Sequence, residues 1–148
     1  MIKYIFLLFS LSSFAQVKDY LTAVDKMPIF PGCEMIANSD DCQQCTEVQF
    51  SYYIEEHIVY PKHAIDMGCE GVVIMSFIIR KDGSLSDIEV VKDQTSGCGL
   101  KEAAIKVLND YSISGVKWCP GFHNNERVNV KMVIPIKFGT TKKNKKKK

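Results

Sequence analysis

The sequence predicts an α+β domain of two layers, a three-stranded antiparallel sheet with helices on one face, and three observations predict it. Positions at helical spacing carry Phe50, Tyr53, Ile54, His57 and Ile58, and again Leu100, Ala103, Ala104, Val107, Leu108 and Tyr111. Between these two stripes residues 72–79 are apolar on nearly both faces, as a central strand is. After them Val128, Val130, Met132, Ile134, Ile136 and Phe138 alternate with Arg127, Asn129, Lys131, Val133, Pro135 and Lys137, the period of a half-buried strand.

Residues 1–15 order a lysine, an apolar run too short to cross a bilayer, and small residues at Ser13 and Ala15. That is the pattern of a signal peptide cut before Gln16. Residues 16–45 carry Pro28, Pro31, Gly32, three cysteines and the polar cluster Asn38-Ser39-Asp40-Asp41, and read as a loop-rich leader needing crosslinks. The folded domain is expected over residues 46–138. Thr46 with Gln49 has the form of a capping box opening a helix over residues 46–59, and Pro61 can start a second short helix ending near Gly68. Lys81-Asp82-Gly83 closes the central strand in a tight turn, and residues 84–92 form the second arm of a hairpin. With the final strand on the free side of the first, the strand order is 2-1-3.

The formal charge of +2 conceals an acidic body, because six lysines crowd the last seven positions and leave −4 for the rest. Basic residues confined to a terminal run, residues 139–148, do not make the basic folded face with interleaved aromatics that nucleic-acid binding requires. Six cysteines, Cys33, Cys42, Cys45, Cys69, Cys98 and Cys119, in an exported chain suggest disulfides without fixing their pairing. No second close cysteine pair and no paired histidines offer a zinc site, and no glycine-rich phosphate loop is present, so neither metal nor cofactor is expected. His57, His63 and His123 stand without a serine or carboxylate at a telling spacing.

Tyr60-Pro61-x-x-Ala64, Gly71-x-Val73-x-x-x-Phe77, Asp82-Gly83, Leu100 with Ala103, Lys117-Trp118-x-Pro120-Gly121, and Val128 through Pro135-Ile136-x-Phe138 follow one another in order. In this the chain resembles the TonB C-terminal domain family, over residues 55–138. The resemblance implies helices on a small antiparallel sheet and a periplasmic, non-catalytic role. That role is binding a short peptide of an outer-membrane TonB-dependent receptor in transmembrane transport. The family's membrane helix and proline-rich spacer are not seen here, so only the docking half of its role carries over. Cys69, Cys98 and Cys119 lie where the family pattern asks for none, and hint at a disulfide tying the helical layer to the sheet margin.

An edge strand offers unpaired N–H and C=O groups to an incoming extended peptide. Pro135, lacking an N–H, suits an edge, and it shares its lateral side with Asn129, Lys131 and Val133. Arg127, Asn129, Lys131, Val133 and Pro135 are therefore the expected docking residues. Trp118 is expected as a core anchor. The sheet's other face shows Val72, Ile74 and Ile78, apolar enough to need a cover, either the leader through Met27, Ile29, Phe30 and Ile36 or a second copy of the chain. Two other readings stay open: a self-associating structural module of the cell envelope, and a thiol oxidoreductase using Cys42 and Cys45 just before a helix.

Overall fold

The computed structural model describes residues 18–139. The signal peptide expected over residues 1–15, and the tail expected over residues 139–148 apart from Gly139, lie outside them. Helix α1, Ser39–His57, starts at Ser39 rather than at Thr46. Asn38 is its N-cap, accepting from the Asp40 N–H at 3.0 Å, and Asp40 and Asp41 sit in the first turn where the helix dipole favours them. Thr46 caps nothing. It is buried at 2 % exposure, and its hydroxyl accepts the Phe30 N–H at 3.2 Å, pinning the leader to the helix. Helix α2, Lys62–Asp66, follows Pro61, whose fixed φ suits a helix entry.

The hairpin of β1, Gly71–Ile79, and β2, Leu85–Thr95, is closed by paired bonds between Arg80, Gly83 and Ser84. Gly83 has φ +85, and a Cβ there would stand 2.1 Å from the Trp118 carbonyl oxygen. The close approach exists because the Trp118 N–H donates to the Gly83 carbonyl at 2.9 Å. Two motif fragments distant in sequence thus meet at one backbone contact. Gly83→Ala should cost about 1–3 kcal/mol from backbone strain alone, read as a lower urea midpoint with unchanged slope. Beside it Asp82 accepts from the Ser84 hydroxyl and N–H, which with Lys117 pull its pKa down to about 2. Its contribution is complete above the ordinary carboxylate pKa and is lost as pH falls through about 2.

Helix α3, Leu100–Ser114, is bounded by Gly99 and Gly115, both in left-handed conformations that glycine adopts without strain. Its buried stripe, Leu100, Ala103, Ala104, Val107, Leu108 and Tyr111, packs with Val73, Met75, Phe77 and Ile79 of β1 and with Phe50 and Ile54 of α1. Phe30 of the leader enters this same core, 5.4 Å from Phe50 and 5.3 Å from Trp118 between ring centres. The expected cover of the opposite face by Phe30 is therefore corrected. Phe30 lies in the helix-side core, and Ile29 pairs its backbone with Cys119 in both directions at 3.0 Å.

The chain then forms a second hairpin, β3, Gly121–His123, with β4, Glu126–Val128, turning through Asn124 and Asn125 at positive φ. Asparagine tolerates that conformation, which a two-residue hairpin turn needs. The final strand β5, Val130–Phe138, is broken from β4 at Asn129, so the single strand expected from residue 128 onward is two. The main sheet has the order β2-β1-β5, all antiparallel, with β1 central. This is the α+β architecture and the strand order expected, with the β3–β4 hairpin added.

Two disulfides tie the periphery down. Cys33–Cys45 fastens the leader to α1, and Cys69–Cys98 joins the entry of β1 to the exit of β2. The second ties the helical layer to the sheet margin. Cys42 and Cys119 are free thiols.

Candidate functional site

In β5, Pro135 lies opposite Ile74 and Lys131 opposite Ile78. Alternate residues of a strand aim their backbone groups to opposite lateral sides, so Lys131, Val133, Pro135 and Lys137 share one side. The Lys131 N–H shows which side this is. It donates to the Leu21 carbonyl at 2.9 Å, away from β1. Val133 and Pro135 therefore aim their backbone groups at the sheet edge. Proline occupies it without losing a bond to β1.

The expected docking residues divide into three groups. Arg127 is in β4, opposite Phe122, and does not belong to this edge. Asn129 and Lys131 face a partner from the chain itself: the Leu21 N–H donates to the Asn129 carbonyl at 2.9 Å, completing a short parallel bridge to the start of β5. Val133 and Pro135 lie beyond that bridge, both exposed, Val133 at 58 %.

Several contacts strap Leu21 to this position. The Asn129 side chain accepts the Lys81 N–H at 2.9 Å and donates to the Asp19 carbonyl at 2.8 Å. Arg80 pairs with Asp19 at 2.7 Å and also with Asp87. The Lys131 ammonium sits 5.3 Å from the centre of the Tyr20 ring and 3.1 Å from Glu89, which with Tyr20 holds its pKa above the ordinary lysine value. Arg80 is only partly exposed, and its pairing across three chain segments fixes where the leader meets the sheet. Asn129→Ala removes two hydrogen bonds to backbone groups and should cost about 1–3 kcal/mol. Hydrogen exchange at the Lys131 amide should accelerate more than at Ile136.

The sequence offered no local signal for this strap, since Leu21 and Val130 are joined only by the fold. The oxidoreductase reading is corrected here. Cys45 is bonded to Cys33, and Cys42 is buried inside α1 with its thiol against the Cys33 carbonyl at 3.4 Å. Burial first, then Glu34 and Cys42, pushes the Cys119 thiol up, the opposite of activation. Among the described residues no group of three His, Cys, Asp or Glu could hold a metal ion, and no helix is long and apolar enough to cross a membrane.

Residues 56–140 match the family model described as the Gram-negative bacterial TonB protein C-terminal. That span is more than half of the chain. The chain belongs to the TonB C-terminal family. Protein TonB of Helicobacter pylori strain 26695 is 34% identical over 79 residues, 53% of this chain and 25% of its own length. Protein TonB of strain J99 shows the same identity over the same shares. The chain thus spans about a quarter of the length of these curated relatives. The solution structure of the H. pylori TonB C-terminal domain, residues 179–285, matches with a TM-score of 0.50 at 31% identity, covering 70% of this chain and 84% of that one. The TonB-like span thus begins at the end of α1 and holds the whole sheet, including the β5 edge. The Cys33–Cys45 bond and the residues of the strap before β1 lie outside it.

Proposed function

We propose that this protein is a non-catalytic docking module of the periplasm that binds an extended segment of an outer-membrane receptor by strand addition, serving TonB-dependent transport. The observation that carries the reading is the composition of the β5 edge. Past the Leu21 bridge it presents outward backbone groups at Val133, flanked by an exposed Pro135 whose missing N–H marks the edge as one that forms no continuous ladder. Backbone hydrogen bonds to such an edge supply affinity largely independent of sequence. Asn129 and Lys131 extend the site to a longer peptide only if the Leu21 bridge is displaced. Membership of the TonB C-terminal family supports a role in transport, and the receptor is proposed from that membership.

The test is a pull-down from solubilised outer membranes with the full chain beside Val133→Pro. Proline at 133 removes an outward N–H and no bond to β1, so the variant should keep its thermal midpoint. Recovery of a β-barrel receptor by the natural chain and not by the variant is the expected result. Equal recovery by both would sink the reading.

The reading of a self-associating module keeps one supporting observation. Val72 and Ile74 of β1 and the exposed Val91 and Val133 leave the second face of the sheet unusually apolar. Sedimentation as a single monomer across a wide concentration range would remove it.

A further inference from the structure

Leu21 lies on the first half of the β5 edge as a one-residue stand-in for an added strand. Its N–H donates to the Asn129 carbonyl and its carbonyl accepts the Lys131 N–H, both at 2.9 Å. These are the backbone groups that strand addition would use at this end of the edge. We propose that residues 18–21 are a displaceable strap that occupies half of the docking edge in place of a ligand, and that an extended peptide reaching from Val133 back to Asn129 binds by exchanging places with it. The inference rests on the docking reading above and adds self-inhibition to it.

Three observations carry it. The first is the conservation of bonds. An incoming strand offers Asn129 and Lys131 the same kind of backbone donor and acceptor that Leu21 offers, so the exchange breaks two hydrogen bonds and makes two. Backbone bonding therefore favours neither state, and side chains set the balance.

The second is a shallow hold. No residue from Lys18 to Met27 is buried, and Pro28 is the first that is. The strap can leave without opening the core. The leader behind it is pinned separately, by Asp25 accepting the Asn124 N–H at 2.8 Å and by Lys26 pairing its backbone with Phe122 in both directions. Displacement is thus confined to the chain before Asp25, with residues 22–24 as the link on which the strap swings.

The third is what stays behind. Asp19 pairs with Arg80, and the Tyr20 ring lies beside the Lys131 ammonium. Once the strap has gone, Arg80 keeps Asp87 and Lys131 keeps Glu89, so release leaves neither cation without a carboxylate. Exposed ion pairs of this kind are individually weak. Several small contacts hold the strap closed, and the apparent affinity for a long peptide falls in proportion to the fraction of molecules in which it is open.

The test measures two fluorescein-labelled peptides of alternating valine and threonine on the full chain. One of about five residues can pair along residues 133–137 alone, and one of about nine can pair along residues 129–137. Leu21→Pro removes the N–H given to Asn129, whereas Asp19→Ala/Tyr20→Ala removes the side-chain hold and keeps the backbone bonds. Both variants should bind the long peptide tighter, Leu21→Pro by about tenfold if the strap is closed about nine-tenths of the time. Both should bind the short peptide as the natural chain does. On the natural chain the long peptide should abolish the hydrogen-exchange protection of the Leu21 amide while the Lys131 amide stays protected, because the peptide has taken the place of the strap. If Val133→Pro abolishes binding but Leu21 keeps its protection in the complex, or neither strap variant binds the long peptide tighter, edge docking stands and the strap inference falls. If neither peptide binds any of these chains, or Val133→Pro binds both as the natural chain does, the docking reading falls and takes the inference with it.

Discussion

Reducing both disulfides should lower the unfolding free energy by about 6 kcal/mol, enough to leave a domain of this size near or past its midpoint at room temperature. The bonds Cys33–Cys45 and Cys69–Cys98 close loops of 12 and 29 residues. In the chain-entropy account, releasing such loops restores freedom to the unfolded chain worth about 3 and about 3.5 kcal/mol respectively. Typical single domains hold about 5–15 kcal/mol in total, so the sum is a large share. The two bonds differ in what they secure. Cys69–Cys98 lies next to the paired residues Gly71 and Thr95 at the sheet margin, where the hairpin already holds the chain. Cys33–Cys45 holds a leader that otherwise depends on the Phe30 side chain, a few backbone bonds and the Thr46 hydroxyl. Urea titrations of the Cys33→Ser/Cys45→Ser and Cys69→Ser/Cys98→Ser pairs, each followed by ring fluorescence and by hydrogen exchange, separate the effects. The first pair should release the leader before the sheet melts; the second should lower the whole transition. Intact mass should show four cysteines oxidised. Of the two thiols, Cys42 should label only after unfolding, being 4 % exposed. Identical midpoints with and without reductant would refute the account.

The elements legible in the sequence are those whose signal is local. The stripe from Leu100 to Tyr111 has one period and clear glycine ends, and α3 follows it. The apolar run of β1 marks a strand covered on both sides by neighbours, and Asp82-Gly83 marks its turn. What escaped the reading has a different origin. Asn38-Ser39-Asp40-Asp41 reads as loop because four polar residues in a row have no period, yet the same residues are an N-cap and an acidic first turn. The hairpin of β3 and β4 has arms of three residues, too short for any alternation to register, and its turn is Asn-Asn rather than a glycine pair. That omission is what carried Arg127 onto the wrong strand. At the edge itself, the missing N–H of Pro135 and the two-residue period were enough to group Lys131, Val133 and Pro135 on one lateral side. The Leu21 bridge on that side was not legible, because it joins residues more than a hundred positions apart through the placement of the whole leader.

Trp118→Ala should destabilise the protein by about 3–5 kcal/mol while leaving the proposed receptor docking intact whenever the variant is assayed cold enough to be folded. The indole is 3 % exposed and meets three phenylalanine rings, Phe30 at 5.3 Å, Phe50 at 5.0 Å and Phe77 at 6.1 Å, one each from the leader, α1 and β1. It is thus where the leader, the helix and the sheet share one packing contact, and its removal leaves a cavity all three must line. The polar end of the ring is less well served. Neither the indole N–H nor the Tyr111 hydroxyl beside it has a well-formed hydrogen bond among the described residues. Burial pushes the Tyr111 phenol up to about 12, only partly offset by the indole. Trp118→Phe therefore removes apolar volume together with a poorly satisfied donor, and should cost distinctly less than Trp118→Ala. A tryptophan serving as a ligand platform would give the reverse ordering, with small stability losses and a large loss of docking in both variants. Thermal midpoints for the two variants, measured beside their receptor recovery at low temperature, decide between a ring that holds the layers together and one that meets the partner.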